Sequence, residues 1–231
     1  MLSDILFDLD GTLADPKEGI TRCIQFSLDR LGRTSPGADQ LTWCIGPPLR
    51  GSLSLLLDTS DDALLDQALA YYRKRFSETG IYENALYPGI ISALRRIRRA
   101  GFRVFLATSK PGVYARRILD HFDLTQFFQA IYGSELDGRL SDKGELVAHI
   151  LCSERLDSKA TLIVGDRFHD IVAGKKNGIM TAAVTYGYGS REEITASNPD
   201  IIFESPSDLA SFLESKTAPR RDSRQTCPRG Q

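Results

Sequence analysis

Apolar residues recur along this chain in two alternating periods. Ile5-Leu6-Phe7 is a short unbroken apolar run, the pattern of a strand buried on both faces. Gly11 breaks it with a turn. From Lys17 to Leu31 the period changes: Ile20, Ile24, Leu28 and Leu31 fall at helical spacing and stop at Gly32. Pro47 and Pro48 suit a turn and the first position of a helix, which continues over Leu53 to Leu57. Ser60 or Asp61 is placed to cap another helix, running through Ala63, Leu64, Ala68, Leu69 and Tyr72 to Phe76. Residues from 16 to 84 are therefore expected to be all-helical, with no strand.

Beyond Tyr87-Pro88-Gly89 the two periods alternate. Helices are expected over Ile90–Ala100, Val113–His121, Lys143–Cys152, Ile171–Lys176 and Ser207–Leu213. Strands are expected over Phe102–Ala107, Ala130–Tyr132, Thr161–Val164, Met180–Val184 and Asp200–Phe203. That order predicts an α/β fold, a parallel sheet with helices on both faces. Past Lys216 the periodicity is lost, and a disordered, basic tail is expected over 216–231.

Composition narrows the picture little. The 231 residues are 42% hydrophobic and 26% charged, with a formal net charge of −1. Such a chain has length for a sizeable core plus an insert, and no overall basic field for nucleic acid or anionic lipid. No apolar run approaches the ~18–20 residues of a membrane span, and no signal peptide is expected ahead of a strand that starts almost at Met1. Cys23, Cys44, Cys152 and Cys227 form no Cys-x-x-Cys pair. They read as reduced thiols of a cytoplasmic protein.

The candidate chemistry sits where strands end. Asp8 and Asp10 follow the first strand, and alternation would put them on one face at its C-terminal end, where open α/β sheets bind ligands. Two carboxylates so close repel unless a cation lies between them, and oxygen-only ligands suit a hard ion such as Mg²⁺. The similar opening of a calcium loop is excluded, because Gly19 stands where its Glu would be. Thr108-Ser109-Lys110 ends another strand, offering a hydroxyl and N–H groups to a phosphate oxygen; a Ser/Thr helix cap is the bland alternative. Gly165-Asp166-Arg167-Phe168-His169-Asp170 brings two further carboxylates to the same edge. Lys143 opens a helix, where its charge gains nothing from the dipole. Arg95, Arg96, Arg98 and Arg99 read as a solvated face, and Tyr186-Gly187-Tyr188-Gly189 is too weak a pattern to claim a nucleotide.

Taken in order, Asp-x-Asp-Gly-Thr, a strand-ending Thr, a Lys and Gly-Asp-x-x-x-Asp closely resemble the haloacid dehalogenase superfamily of phosphohydrolases, over roughly residues 3 to 214. Asp15-Pro16-Lys17-Glu18-Gly19-Ile20, Ile45-Gly46-Pro47-Pro48-Leu49, Gly133-Ser134-Glu135-Leu136-Asp137-Gly138 and Tyr186-Gly187-Tyr188-Gly189-Ser190 look like its phosphoglycolate phosphatase-like and 5′-nucleotidase-like branch. The resemblance implies a Rossmann-like core over residues 1–15 and 85–215, with a small four-helix-type cap over 16–84. It implies Asp8 as nucleophile and Asp10 as acid and base. Mg²⁺ would be bound by Asp8, the Asp10 carbonyl, Asp166 and Asp170, and phosphoryl oxygens held by Thr108 and Lys143. Gly11 and Thr12 share the first loop; Ser109, Lys110 and the cap residue Arg50 are further candidates for substrate contact.

The expected protein is a cytoplasmic, Mg²⁺-dependent phosphatase of a small phosphorylated metabolite, phosphoglycolate or a nucleoside 5′-monophosphate. It is expected to be a monomer or homodimer with no nucleic-acid polymer or membrane as partner. A sugar-phosphate phosphomutase and a non-catalytic phosphate-binding regulatory protein are the alternatives.

Overall fold

The computed structural model describes residues 1–216; from residue 217 on, the expected tail lies outside the described residues. The chain runs through β1 (Asp4–Phe7), β2 (Ala14–Asp15), α1 (Lys17–Arg30), α2 (Leu49–Leu57), α3 (Asp62–Glu78), β3 (Ala85–Leu86) and α4 (Ile90–Arg99). It continues through β4 (Arg103–Pro111), α5 (Gly112–His121), β5 (Ala130–Ser134), α6 (Lys143–Ser153), β6 (Thr161–Gly165) and α7 (Phe168–Lys176). Then come β7 (Met180–Val184), α8 (Arg191–Ser197), β8 (Ile201–Phe203) and α9 (Pro206–Lys216).

Six strands form one sheet in the order β5-β4-β1-β6-β7-β8, and every neighbouring pair is parallel. From β1 the chain first builds outward through β4 and β5, then returns to add β6, β7 and β8 on the other side. The strand order reverses at β1, so the crevice at its C-terminal end is the place where loops from β4 and β6 converge. The continuous apolar runs have the burial that placement demands. Ile5, Leu6, Val104, Phe105, Leu162 and Ile163 are all fully buried, and each such side chain contributes roughly 1.5–3 kcal/mol.

The segment between β2 and β3 holds α1, α2, α3 and two short 3₁₀ turns, as the helical pattern predicted. Asp61 caps α3, accepting from the Ala63 N–H at 2.9 Å. The apolar side of the insert is continuous with the sheet's own core: Ile20, Ile24, Tyr72 and Phe76 belong to one cluster with Ile5 and Phe7. A smaller cluster of Leu53, Leu65 and Ala68 holds α2 on α3.

Four features depart from the sequence reading. β2 and β3 pair antiparallel, Ala14 with Leu86 and Asp15 with Ala85, and so bring the two ends of the insert together. Two-residue strands leave no periodicity to read. β4 runs to Pro111, past the expected end, with a register shift between Thr108 and Pro111. α7 starts at Phe168 rather than Ile171, putting Asp170 in its first turn. α8 was not expected; Ser190 caps it by accepting from the Glu193 N–H, but only Ile194 is buried along it, too little for an apolar stripe.

Candidate active site

β1 ends at Phe7, so Asp8 and Asp10 lie in a turn instead of on one strand face. The turn is wound on Leu9, whose carbonyl accepts from the N–H groups of Thr12, Leu13 and Ala14. Gly11 carries it at φ +82°, and a Cβ there would stand 2.0 Å from Asp166 Oδ2. Only glycine satisfies both demands. The Asp8 N–H donates to the Val164 carbonyl at 2.9 Å, fixing the turn to β6. β6 delivers Asp166, and Asp170 folds back from α7 over Gly165, where a Cβ would lie 2.0 Å from Asp170 Cγ.

These loops bring Asp8, Asp166 and Asp170 together, each offering a carboxylate oxygen within 4.8 Å of the others. All three are buried, and Asp166 is completely so. Lys143, at the first position of α6, is drawn inward despite its unfavourable place on the helix. Its Nζ lies 2.7 Å from Asp8 Oδ1 and 2.9 Å from Asp170 Oδ1. Burial opposes its charge, but Asp170 and Asp8 outweigh burial and push the ammonium pKa up. Burial, then the charges of Asp8 and Asp170, push the Asp166 carboxyl well up. Asp170 is also raised, by burial first, with Lys143 pulling it back.

Three buried acids therefore face one buried ammonium. Asp170 Oδ1 accepts no hydrogen bond of acceptable geometry, and Asp8 Oδ2 takes none among the described residues. A divalent cation fits this donor set. It meets hard oxygen ligands, supplies the missing positive charge, and finds a cradle kept open by glycines at 11 and 165.

The Asp10 carboxylate stands apart from these three. Its Oδ2 pairs with Lys110 Nζ at 2.9 Å, while its Oδ1 is buried without a partner. Burial raises its pKa; Lys110 opposes the shift. The Asp10 carboxylate is not one of the three that the loops gather. Lys110 also lies 4.5 Å from the centroid of the Phe76 ring, under α3. Thr108 is buried, its Oγ1 accepting from the Lys110 N–H at 3.2 Å. It lies within β4, where the register shift begins, and caps no helix. Thr12 Oγ1 donates to Asp166 Oδ1 at 3.4 Å. Arg50 is not brought to the carboxylates. It lies on the insert, paired with Asp62 and Asp66.

Two contributors escaped the sequence reading. The Tyr188 N–H donates to Asp166 Oδ2 at 2.7 Å, and the Tyr186 hydroxyl donates to the Thr12 carbonyl at 3.1 Å. The Gly187-Tyr188-Gly189 segment thus holds an acid, because its glycines allow the main chain against Asp166. Its repeated Gly was the available signal. Arg167 donates to the Ile45 carbonyl at 2.6 Å and to Glu193 at 2.8 Å, linking the Asp166 loop to the insert. Between insert and sheet lies a cavity of about 430 Å³, lined by Asp10, Ser109, Lys110, Arg50, Tyr72 and Phe76 among others.

Comparison with known proteins agrees with this geometry. A sequence model of the family described as haloacid dehalogenase-like hydrolase matches residues 5–184. A 5′-nucleotidase of Pseudomonas aeruginosa is 45% identical over 214 residues, 92% of this chain and 96% of that protein. The tyrosine-protein kinase PtkA of Mycobacterium tuberculosis is 35% identical over 198 residues, 86% of this chain and 67% of its own. A phosphoglycolate phosphatase of Aquifex aeolicus is 30% identical over 210 residues, 91% and 96% of the two chains. The crystal structure of a predicted phosphatase from Clostridium acetobutylicum matches with a TM-score of 0.88 at 36% identity, covering 93% of this chain and 100% of the other.

Proposed function

The chain belongs to the haloacid dehalogenase-like hydrolases and is a phosphatase, and from that premise we propose that it hydrolyses a small phosphate monoester in two displacements at Asp8. The observation that carries the proposal is the division of labour between neighbouring acids. Asp8 is ion-paired to Lys143 within the carboxylate cluster, while Asp10 stands outside it with a raised pKa. The first is suited to a nucleophile and the second to a proton carrier.

In the first displacement an Asp8 oxygen forms a bond to phosphorus as the ester P–O bond breaks. The electron pair leaves with the alkoxide oxygen, which takes the proton held by Asp10. In the second, Asp10 removes a proton from water as the water oxygen bonds to phosphorus. The bond to Asp8 breaks, its carboxylate is restored and inorganic phosphate leaves. Thr108 and Lys143 hold the phosphoryl oxygens through both steps, with Ser109 and Gly11 beside them. Asp8, Asp166, Asp170 and the Asp10 carbonyl would hold Mg²⁺, which when bound would supply the charge that lets one anion approach another.

The insert over residues 16–84 serves as a cap that excludes water and selects the leaving group. Cys23 and Cys44 are free, buried thiols, which suits a reducing cytoplasm. The test is Asp8→Asn, assayed with an aryl phosphate and Mg²⁺. Phosphate release should be abolished while the melting transition is kept. Substantial residual turnover, or transfer of phosphate within a sugar phosphate in place of its release, would sink the proposal.

A further inference from the structure

The cavity above Asp10 has a chemistry of its own, and its assignment to the leaving group rests on the phosphatase reading. At about 430 Å³ it falls within the roughly 300–1,000 Å³ of sites that enclose drug-sized ligands. One wall is aromatic. Tyr72 and Phe76 of α3 stack with centroids 5.4 Å apart, and Tyr114 of α5 meets Phe76 edge-on at 5.3 Å. Tyr72 is only 7% exposed, yet its hydroxyl takes part in no hydrogen bond among the described residues. Tyr72 lines the cavity, so its hydroxyl is free to hydrogen-bond a ligand there, a bond worth about 0.5–1.5 kcal/mol. Burial above all, with contributions that include the Asp10 charge, holds that phenol well above its ordinary pKa. It therefore stays protonated and able to donate.

The cavity's charges say what the ligand is not. Arg50 is held by Asp62 and Asp66, and Lys110 by Asp10. Arg73 donates to the Leu136 carbonyl at 2.9 Å, and Glu135 and Asp137 beside it line the same wall. Over the whole lining, four carboxylates (Asp10, Asp66, Glu135 and Asp137) outnumber three cations (Arg50, Arg73 and Lys110), a balance that disfavours a carboxylate on the leaving group.

We infer that Tyr72 reads the leaving group, and that this group is uncharged, with a flat ring for the aromatic wall and a hydrogen-bonding edge for the Tyr72 hydroxyl. A nucleoside has that chemistry; glycolate does not.

The test compares wild type and Tyr72→Phe on uridine and inosine 5′-monophosphates, phenyl phosphate and phosphoglycolate. It adds calorimetric titration of the free nucleosides, a readout independent of turnover. Wild type should prefer the nucleotides to phosphoglycolate by at least about tenfold in kcat/KM, the worth of one or two neutral hydrogen bonds. In Tyr72→Phe the ratio of kcat/KM for the nucleotides to that for phenyl phosphate should fall about 3- to 10-fold, mostly through KM, for the loss of one such bond. Nucleoside affinity should fall by the same factor. An unchanged ratio with unchanged nucleoside affinity overturns the role of Tyr72, and a wild-type preference for phosphoglycolate overturns the neutral leaving group. If wild type releases phosphate from none of the four esters, the phosphatase reading fails, while nucleoside titration still decides whether Tyr72 binds the ring.

Discussion

Replacing Lys143 by Met removes the ammonium that faces Asp8 and Asp170, at 2.7 and 2.9 Å. Methionine nearly fills the same volume, so the change is electrostatic rather than a cavity. In chelator at about pH 8 the variant leaves buried acids with no counter-charge, and breaking a buried pair in this way costs about 3–5 kcal/mol. For a chain of this size each kcal/mol moves the melting temperature by about 2–4 °C, giving a fall of roughly 6–20 °C. The pH dependence has a definite sign. Burial raises the folded-state pKa values of Asp166 and Asp170 above their unfolded values. As pH falls through those raised values the acids bind protons in the folded state first, which relieves the repulsion and restores stability to the variant. The deficit should therefore shrink towards about pH 5, near the ordinary carboxylate range. Differential scanning calorimetry of both proteins in chelator at the two pH values measures it. A fall under about 2 °C, within the reach of an ordinary surface change, or a deficit equal at both pH values, would refute the electrostatic account.

Mg²⁺ at one hundred times its dissociation constant should stabilise wild type by about 2.7 kcal/mol, read as a rise in melting temperature. Asp166→Asn should lose most of that rise, and an equal rise in both proteins would remove Asp166 from the ligand set. Gly11→Ala forces a Cβ to within 2.0 Å of the Asp166 carboxylate at φ +82°. The left-handed backbone alone costs roughly 1–2 kcal/mol, so the variant should melt lower and need more Mg²⁺ for half-maximal activity; a titration showing wild-type Mg²⁺ demand would count against the cradle.

The parallel sheet was legible because its strands are buried on both faces and carry unbroken apolar runs, Ile5-Leu6-Phe7 and Thr161-Leu162-Ile163-Val164 above all. α1 was legible from Ile20, Ile24 and Leu28, all buried on one side. The β2–β3 pairing left no trace, since its strands are two residues long and draw their stability from the ends of the insert. Asp8, Asp166, Asp170 and Lys143 could be proposed from strand ends and a family pattern. The separate role of the Asp10 side chain came from the family pattern alone; strand alternation put it on one face with Asp8, a reading that depends on where β1 stops. Strand alternation applies only while the strand lasts, and here it lasts to Phe7. Lys110 was ambiguous from its spacing to Thr108. Its partners, Asp10 on one side and Phe76 on the other, come from segments far apart in the chain. Tyr188 acts through its main-chain N–H, a role no side-chain motif announces.

Acid quench during turnover of a radiolabelled aryl phosphate, followed by digestion and peptide mapping, tests the nucleophile directly. Acid-stable, hydroxylamine-labile label is expected on the peptide that contains Asp8, and none in Asp8→Asn. Label on another residue, or an enzyme that turns over substrate and never carries label at any quench time, would contradict Asp8 as the nucleophile.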